Sequence, residues 1–349
     1  MTARWREMSI ESRGTTRLGI SFRPPQAEAF GLDPRATLTQ LLAYPFQLIR
    51  LGAYWNRMEP APGRFDTDEL DWEIDAAAKS SKQVLLCVGA VKTFSYPEFY
   101  VPAHHLPTPL PEGSIVDSQT HQALLEAAIA FVTRVVERYK GCESIVAWQV
   151  EHEAVDPLGM EHSWRLGAEF VQQEAEAARL ADPSRPIVMS GFLPTSLPIR
   201  FQQWWRTRDQ GDSLAVAQRL ADIVGIDYYP RHALATFAGR TVYLDGSRTP
   251  WQRHKHLISW AKSHQRRVMV TEGQAEPWET VTTPPNPGGQ RMYSCMPEQM
   301  LENYNQCVRI ANGGGITLDS YLFWGAEYWM LRKKDGDSGY LEAFERVLG

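Results

Sequence analysis

The sequence of 349 residues predicts an α/β fold, a single (β/α)8 barrel with extended loops after its strands. Three observations carry that reading. Apolar strand-like runs alternate with amphipathic helical stretches eight times, the pattern of parallel βα units rather than of a sandwich. The series has no linker, low-complexity tract or leftover segment large enough for a second domain, and barrels of this kind run from about 250 residues upward. No G-x-G-x-x-G follows the first strand, which sets the doubly wound open sheet behind the barrel. One catalytic domain is expected over 1–349, with 1–16 as an N-terminal extension.

The elements follow in order. RLGISF (17–22) reads as the first strand, and Asp33 is placed to cap the next helix with Pro34 in its first turn. FQLIRLGAYW (46–55) is the second strand; Leu70, Ile74, Ala77 and Ala78 then mark one face of a helix within 66–82. QVLLCVGA (83–90) is the third, and a Pro-rich loop to about Ser118 leads into a helix over 121–139. The fourth strand, IVAWQV (145–150), runs straight into the polar EHEAVD, and a helix follows over 164–181. PIVMSGF (186–192) and a helix over 213–222 form the fifth pair, IVGIDYYP (223–230) and a helix over 250–264 the sixth. RVMVTEGQ (267–274) with 297–312, and SYLFWGAEYW (320–329) with 339–348, complete the eight.

Composition excludes several function classes. The formal charge of -5, from 36 basic and 41 acidic residues, comes with no basic block or stripe to meet a phosphate backbone, so no nucleic acid partner is expected. Cys87, Cys142, Cys295 and Cys307 lie far apart with no C-x-x-C pair, and read as free thiols of a reducing compartment. The N-terminus has no apolar signal-like core, and no window approaches the ~20 apolar residues of a membrane span. A soluble, cytoplasmic chain is the expectation, although a mature secreted form reads the same; composition leaves the oligomeric state open.

In such a barrel the chemistry gathers at the C-terminal ends of the strands. Those ends supply Arg50, Tyr54, Trp55, Asn56 and Glu59 after strand two, Lys92 after strand three, and Gln149, Glu151, His152 and Glu153 after strand four. Asp227, Tyr228 and Tyr229 come from strand six, Glu272 and Gln274 from strand seven, Trp324 and Glu327 from strand eight. Glu153 and Glu272 stand out because each ends a fully apolar strand. Two carboxyl groups at one barrel mouth are what glycosidic cleavage asks for, a protonated acid for the leaving group and an ionised partner across the sugar.

Three stretches carry a family resemblance. IVAWQVEHE resembles the strand-four signature of clan A retaining glycoside hydrolases, W-Q-x-x-N-E or N-E-P, and VMVTEGQAEPW resembles their strand-seven nucleophile segment. IRLGAYWNRMEPAPGRFDTDELD is similar to the stretch after strand two of the β-galactosidases of family forty-two, with its W-x-x-x-E-P-x-x-G-x-F-D run. The resemblance spans strand two through strand eight. It implies a retaining β-glycosidase of the family forty-two or family five type, with a carbohydrate substrate and no metal or organic cofactor. It further implies Glu153 as acid/base, Glu272 as nucleophile, Arg50 as the arginine that keeps the nucleophile ionised, and Tyr229 or Tyr228 as its hydrogen-bonding neighbour. Trp324 corresponds to the tryptophan under the reacting sugar, with Trp278 as a second aromatic face; Lys92 joins the substrate-binding set. One residue departs from the pattern: His152 stands where most of the clan has the Asn that bonds the sugar 2-hydroxyl. His-Glu at this place resembles the mannan-cleaving enzymes of family twenty-six, which hints at mannosides beside galactosides and glucosides.

Other readings compete. H-E-x-x-H fails as a zinc signature because position 156 is Asp, and no G-x-S-x-G serine elbow exists. A non-catalytic carbohydrate-binding barrel and a metal-dependent barrel hydrolase remain as alternatives. Glu151 is expected to be a structural partner of Arg50 or Lys92, Glu59 to fix a loop, and His104 and His105 to be solvated. The loops 91–118 and 275–297 are long enough to wall a cleft into a pocket.

Overall fold

A computed structural model describes residues 4–95, 98–157, 164–237, 240–246, 252–277 and 294–349. The eight expected strands form: β1 (Arg17–Ser21), β2 (Leu48–Gly52), β3 (Gln83–Cys87), β4 (Ile145–Gln149), β5 (Ile187–Phe192), β6 (Ile223–Tyr228), β7 (Arg267–Gln274) and β8 (Ser320–Trp324). They close into a parallel barrel in the order β1-β8-β7-β6-β5-β4-β3-β2. Every residue of β2, β5 and β6 is buried, because a parallel strand covered by helices outside and side chains inside has no wet face. Each strand is followed by its helix: α1 (Pro34–Leu42), α2 (Asp68–Lys79), α3 (Gln122–Tyr139), α4 (Ala168–Ala181), α5 (Ser213–Leu220), α6 (Gln252–Ser263), α7 (Pro297–Gly313) and α8 (Gly339–Leu348). The (β/α)8 expectation is therefore met strand for strand.

Local chemistry sets the helix starts. The Asp33 carboxylate accepts the Ala36 N–H at 2.6 Å, with Pro34 in the first turn, and Asp212 caps α5 in the same way at 2.9 Å. The apolar stripe of α3, Leu124, Leu125, Ala128, Phe131, Val132, Val135 and Val136, is buried at helical spacing.

The chain divides into two compact units, one of Met1–Leu48, Leu193–Arg200 and Ile226–Gly349, the other of Ile49–Phe192 and Phe201–Gly225. In the first, Phe344 of α8 packs against Phe323, 5.3 Å between ring centroids, and Trp329, 5.0 Å. The N-terminal segment is pinned there, since Asn305 of α7 accepts the Glu11 N–H at 2.8 Å and donates to the Ser9 carbonyl at 2.9 Å. In the second, Trp148 of β4 donates its indole N–H to Asp182 at 3.0 Å, and Arg185 donates to the carbonyls of Ile145, Lys140 and Cys142.

The structure corrects several boundaries. The eighth strand stops at Trp324, because Gly325 takes a φ of 132° and a helix runs over Ala326–Lys334; Glu327 therefore lies on a helix. The second strand ends at Gly52, and Trp55–Met58 is a helical turn. Arg165–Leu166, expected as helix, pairs in a short parallel ladder with Ile115–Val116. A helix over Leu197–Thr207 and an antiparallel pair, Arg231–Phe237 with Arg240–Asp245, were not expected. Among the described residues no helix is long and apolar enough to cross a membrane, and all four cysteines are free thiols.

Candidate active site

In the unit containing β2 to β5, the polar run after β4 leaves regular geometry at once. Glu151 and Glu153 take φ of 57° and 43°, a left-handed conformation that a side chain with a Cβ rarely adopts and that survives only where the surroundings impose it. The Glu151 carboxylate accepts the N–H groups of Val91 and Lys92 at 2.8 and 2.5 Å. It also meets Glu174 of α4: burial and the Glu151 charge push the Glu174 carboxyl well up, while Glu151, itself raised by burial, is held back by those two N–H bonds. The proton of this buried pair therefore belongs to Glu174. The Glu151 carboxylate, expected against Arg50 or Lys92, is bonded instead to the backbone N–H groups of Val91 and Lys92 and to Glu174.

Gly89 makes this packing possible. A Cβ there would sit 2.1 and 2.5 Å from the Glu151 nitrogen and Cα, backbone atoms that cannot yield cheaply. Gly89→Ala is expected to destabilise the fold by about 3 kcal/mol or more, read as a lowered denaturation midpoint with unchanged slope; an unchanged midpoint would mean that the 89–91 and 151–153 turns relax freely.

Lys92 is fully buried, and its ammonium donates to the carbonyls of Glu153 at 2.8 Å and Asp156 at 3.0 Å. Its observed contacts thus hold the turn that carries Glu153. Arg50 is also fully buried; it donates through Nε to Gln149 at 2.8 Å, lies 3.8 Å over the Phe94 ring, and places Nη2 3.4 Å from His152 Nδ1. A guanidinium only donates, so Nδ1 is the accepting nitrogen of His152 and the ring proton sits on Nε2. Ser190 Oγ lies 3.3 Å from the same Nδ1. Burial, Arg50 and Lys92 hold the His152 pKa well below its ordinary value against the pull of Glu98, so the ring is neutral.

In the unit containing β6 to β8, Glu272 sits on an interruption of β7. Val270 pairs with Tyr321 and Gly273 with Phe323, so three steps on β7 face two on β8, and the bulge falls at Thr271 and Glu272. Such bulges re-aim a side chain. Gly273 permits it, since a Cβ there would meet the Tyr321 hydroxyl at 2.2 Å. The Tyr229 hydroxyl donates to Glu272 at 2.6 Å; burial and the Glu272 charge push its own pKa well up, so it stays a donor. Of the two candidate tyrosines, Tyr229 thus reaches the carboxylate, while Tyr228 is buried with its ring 6.1 Å from His254.

Trp324 ends β8 with the Arg23 guanidinium 3.9 Å over its ring. Arg23 donates to Glu276 at 2.9 Å and to Glu327 at 2.6 Å, all three buried. Sequence reasoning named Trp324 and Glu327 but passed over Glu276 and Arg23, although Arg23 follows the first strand as directly as Glu272 ends the seventh. Burial lifts the Glu276 pKa to about 7; Arg23 opposes, and Glu327 and Glu272 add to the rise. The folded protein then holds a proton that the unfolded chain, at 4.5, releases first. Stability is fully present below pH 4.5 and falls as pH rises through about 7. Glu276→Gln is expected to flatten that slope in denaturant titrations across this range; an unaltered slope would assign it elsewhere.

Trp55, Trp148 and Trp329 are fully buried and belong to the core, while Trp278 lies outside the described residues. His104 and His105 differ from expectation: they are only about a quarter exposed, and both face Glu59.

Residues 38–172 match the model of the β-galactosidase family, glycoside hydrolase family 42, a stretch that holds Arg50, His152 and Glu153. No curated protein matches the chain. Among solved structures it is similar to the intracellular xylanase TsXylA of Thermoanaerobacterium saccharolyticum, at 15% identity over 89% of this chain and 86% of that one, with a TM-score of 0.56. It is similar also to xylanase 10B of Thermotoga maritima, at 12% identity over 96% and 95%, TM-score 0.58. A family 5 enzyme of Streptomyces cattleya, solved with Manβ1-4GlcNAc, matches at 14% identity over 88% and 70%, TM-score 0.55.

Proposed function

We propose that this chain, a glycoside hydrolase of the clan A barrel type, cleaves β-glycosides with retention of configuration. Glu272 attacks the anomeric carbon while Glu153 protonates the departing oxygen; Glu153 then takes a proton from water, which breaks the glycosyl ester and frees Glu272. The observation that carries the reading is Glu272 itself, turned out by a strand bulge and held by the Tyr229 hydroxyl at 2.6 Å. The family match over 38–172 supports the other half, since it includes Glu153 and its setting.

The remaining residues take roles that their contacts support. His152, neutral with its proton on Nε2, donates to the sugar 2-hydroxyl in place of the usual Asn amide. Lys92 acts through the backbone, fixing the Glu153 turn by its bonds to the carbonyls of Glu153 and Asp156. Arg50 holds His152 from the Nδ1 side. Trp324, with one face against Arg23, offers the other to the reacting sugar.

A panel of nitrophenyl β-galactoside, β-glucoside and β-mannoside tests the function and chooses the sugar. Turnover of at least one, with the first-formed product retaining its configuration by NMR, is the expected result. Sugars that raise the melting temperature while no substrate turns over would make the barrel a carbohydrate-binding protein instead.

A further inference from the structure

We infer that Glu59, His104 and His105 form a binding site for a divalent transition metal of the zinc type, which clips the loop after β3 to the helical turn after β2. Nothing in the glycosidase reading requires this site. Glu59 follows the Trp55–Met58 turn, and the two histidines come from a tight turn in which the His105 N–H donates to the Pro102 carbonyl at 2.9 Å. His104 Nε2 and His105 Nε2 lie 3.1 and 3.3 Å from the same oxygen, Glu59 Oε1, and one ligand atom from each residue falls within 4.8 Å of the others. A tetrahedral zinc ion with bonds of about 2.0–2.1 Å holds its ligand atoms roughly 3.3 Å apart, so the two nitrogen–oxygen separations already match that spacing and the third, within 4.8 Å, needs only a small closing movement.

The surroundings are built for orientation. The other carboxylate oxygen, Glu59 Oε2, accepts the Trp55 indole N–H at 2.8 Å, which fixes the carboxylate as an outer partner fixes a metal ligand. Trp55 is fully buried, stacks on His105 with ring centroids 4.8 Å apart, and is itself backed by Phe131 at 5.4 Å. The His105 imidazole is therefore held in place, with the His104 ring against it at 4.4 Å between centroids. The three ligands are between 20% and 25% exposed, enough for an ion to enter and for water to complete the fourth position. Two imidazoles and one carboxylate suit zinc and its neighbours, whereas magnesium and calcium call for oxygen ligands. The Asn56 N–H already ties the turn to the loop through the Tyr100 carbonyl at 2.8 Å, and an ion here adds a further link.

The test uses the full chain, stripped with chelator and titrated with zinc chloride by calorimetry at neutral pH. One equivalent is expected to bind in the micromolar range or tighter and to raise the melting temperature. His104→Ala and His105→Ala are each expected to weaken binding at least tenfold, while His121→Ala leaves it unchanged. Cobalt in place of zinc gives a second readout that needs no variant: visible bands of tetrahedral nitrogen and oxygen ligation, without the thiolate charge-transfer band. No binding, binding that persists in the His104→Ala/His105→Ala double variant, or a thiolate band would each overturn the assignment.

Discussion

Glu272→Gly is expected to lower turnover of an aryl β-glycoside on the order of 10⁵-fold, about 7 kcal/mol of barrier, because no other group is proposed to attack the anomeric carbon. Azide should then recover much of the loss. The small anion fits the space of the missing carboxylate, displaces the aryloxide from the same side and leaves a glycosyl azide of inverted configuration. That product, identified by NMR, is the decisive readout, since a merely destabilised protein loses activity without making it. Activity retained in the variant, or azide without effect while the variant is folded, would remove Glu272 from the role. The Tyr229 hydroxyl is also expected to lose its tight bond, which gives a folded-state check independent of catalysis.

Glu153→Ala is expected to produce the second largest effect, and one that depends on the substrate. A general acid contributes about 10²–10⁴-fold, and only where the leaving oxygen needs its proton. Dinitrophenyl glycosides should therefore form the covalent intermediate at close to the normal rate and then stall, visible as a burst of phenolate, while alkyl glycosides and disaccharides barely react. Azide should accelerate the stalled second step and yield a glycosyl azide of retained configuration, opposite to the product of Glu272→Gly. Equal losses on good and poor leaving groups would place the acid elsewhere, and Glu151 is the neighbour to try next. Its carboxylate, bound by the N–H groups of Val91 and Lys92 and paired with the Glu174 proton, argues for structure rather than for proton delivery.

Much of this was legible because it rests on local or short-range physics. The alternation of apolar runs and helical faces names a parallel α/β fold, and a capping aspartate before a proline marks where a helix begins. Apolar strands that end abruptly in carboxylates single out Glu153 and Glu272, and the stretches around them resemble known hydrolases closely enough to assign expected roles. The errors lay where tertiary contact overrides local preference. SYLFWGAEYW has strand composition throughout, yet the chain turns at Gly325, whose φ of 132° and whose approach to Glu276, 2.6 Å from where a Cβ would sit, only glycine allows. His104 and His105 sit in a proline-rich loop that reads as solvated, and only the fold brings Glu59 against them.

The sequence alone thus determined the architecture, since periodicity and chain order need no long-range information. Tertiary structure decided the rest. It brought Tyr229 rather than Tyr228 to Glu272, set the Lys92 ammonium against the carbonyls of Glu153 and Asp156, placed Arg23 between Glu276 and Glu327, and forced Glu151 and Glu153 into left-handed backbone. Each of these depends on which side chains meet across distant segments, and on conformations that the isolated chain disfavours and only close packing sustains.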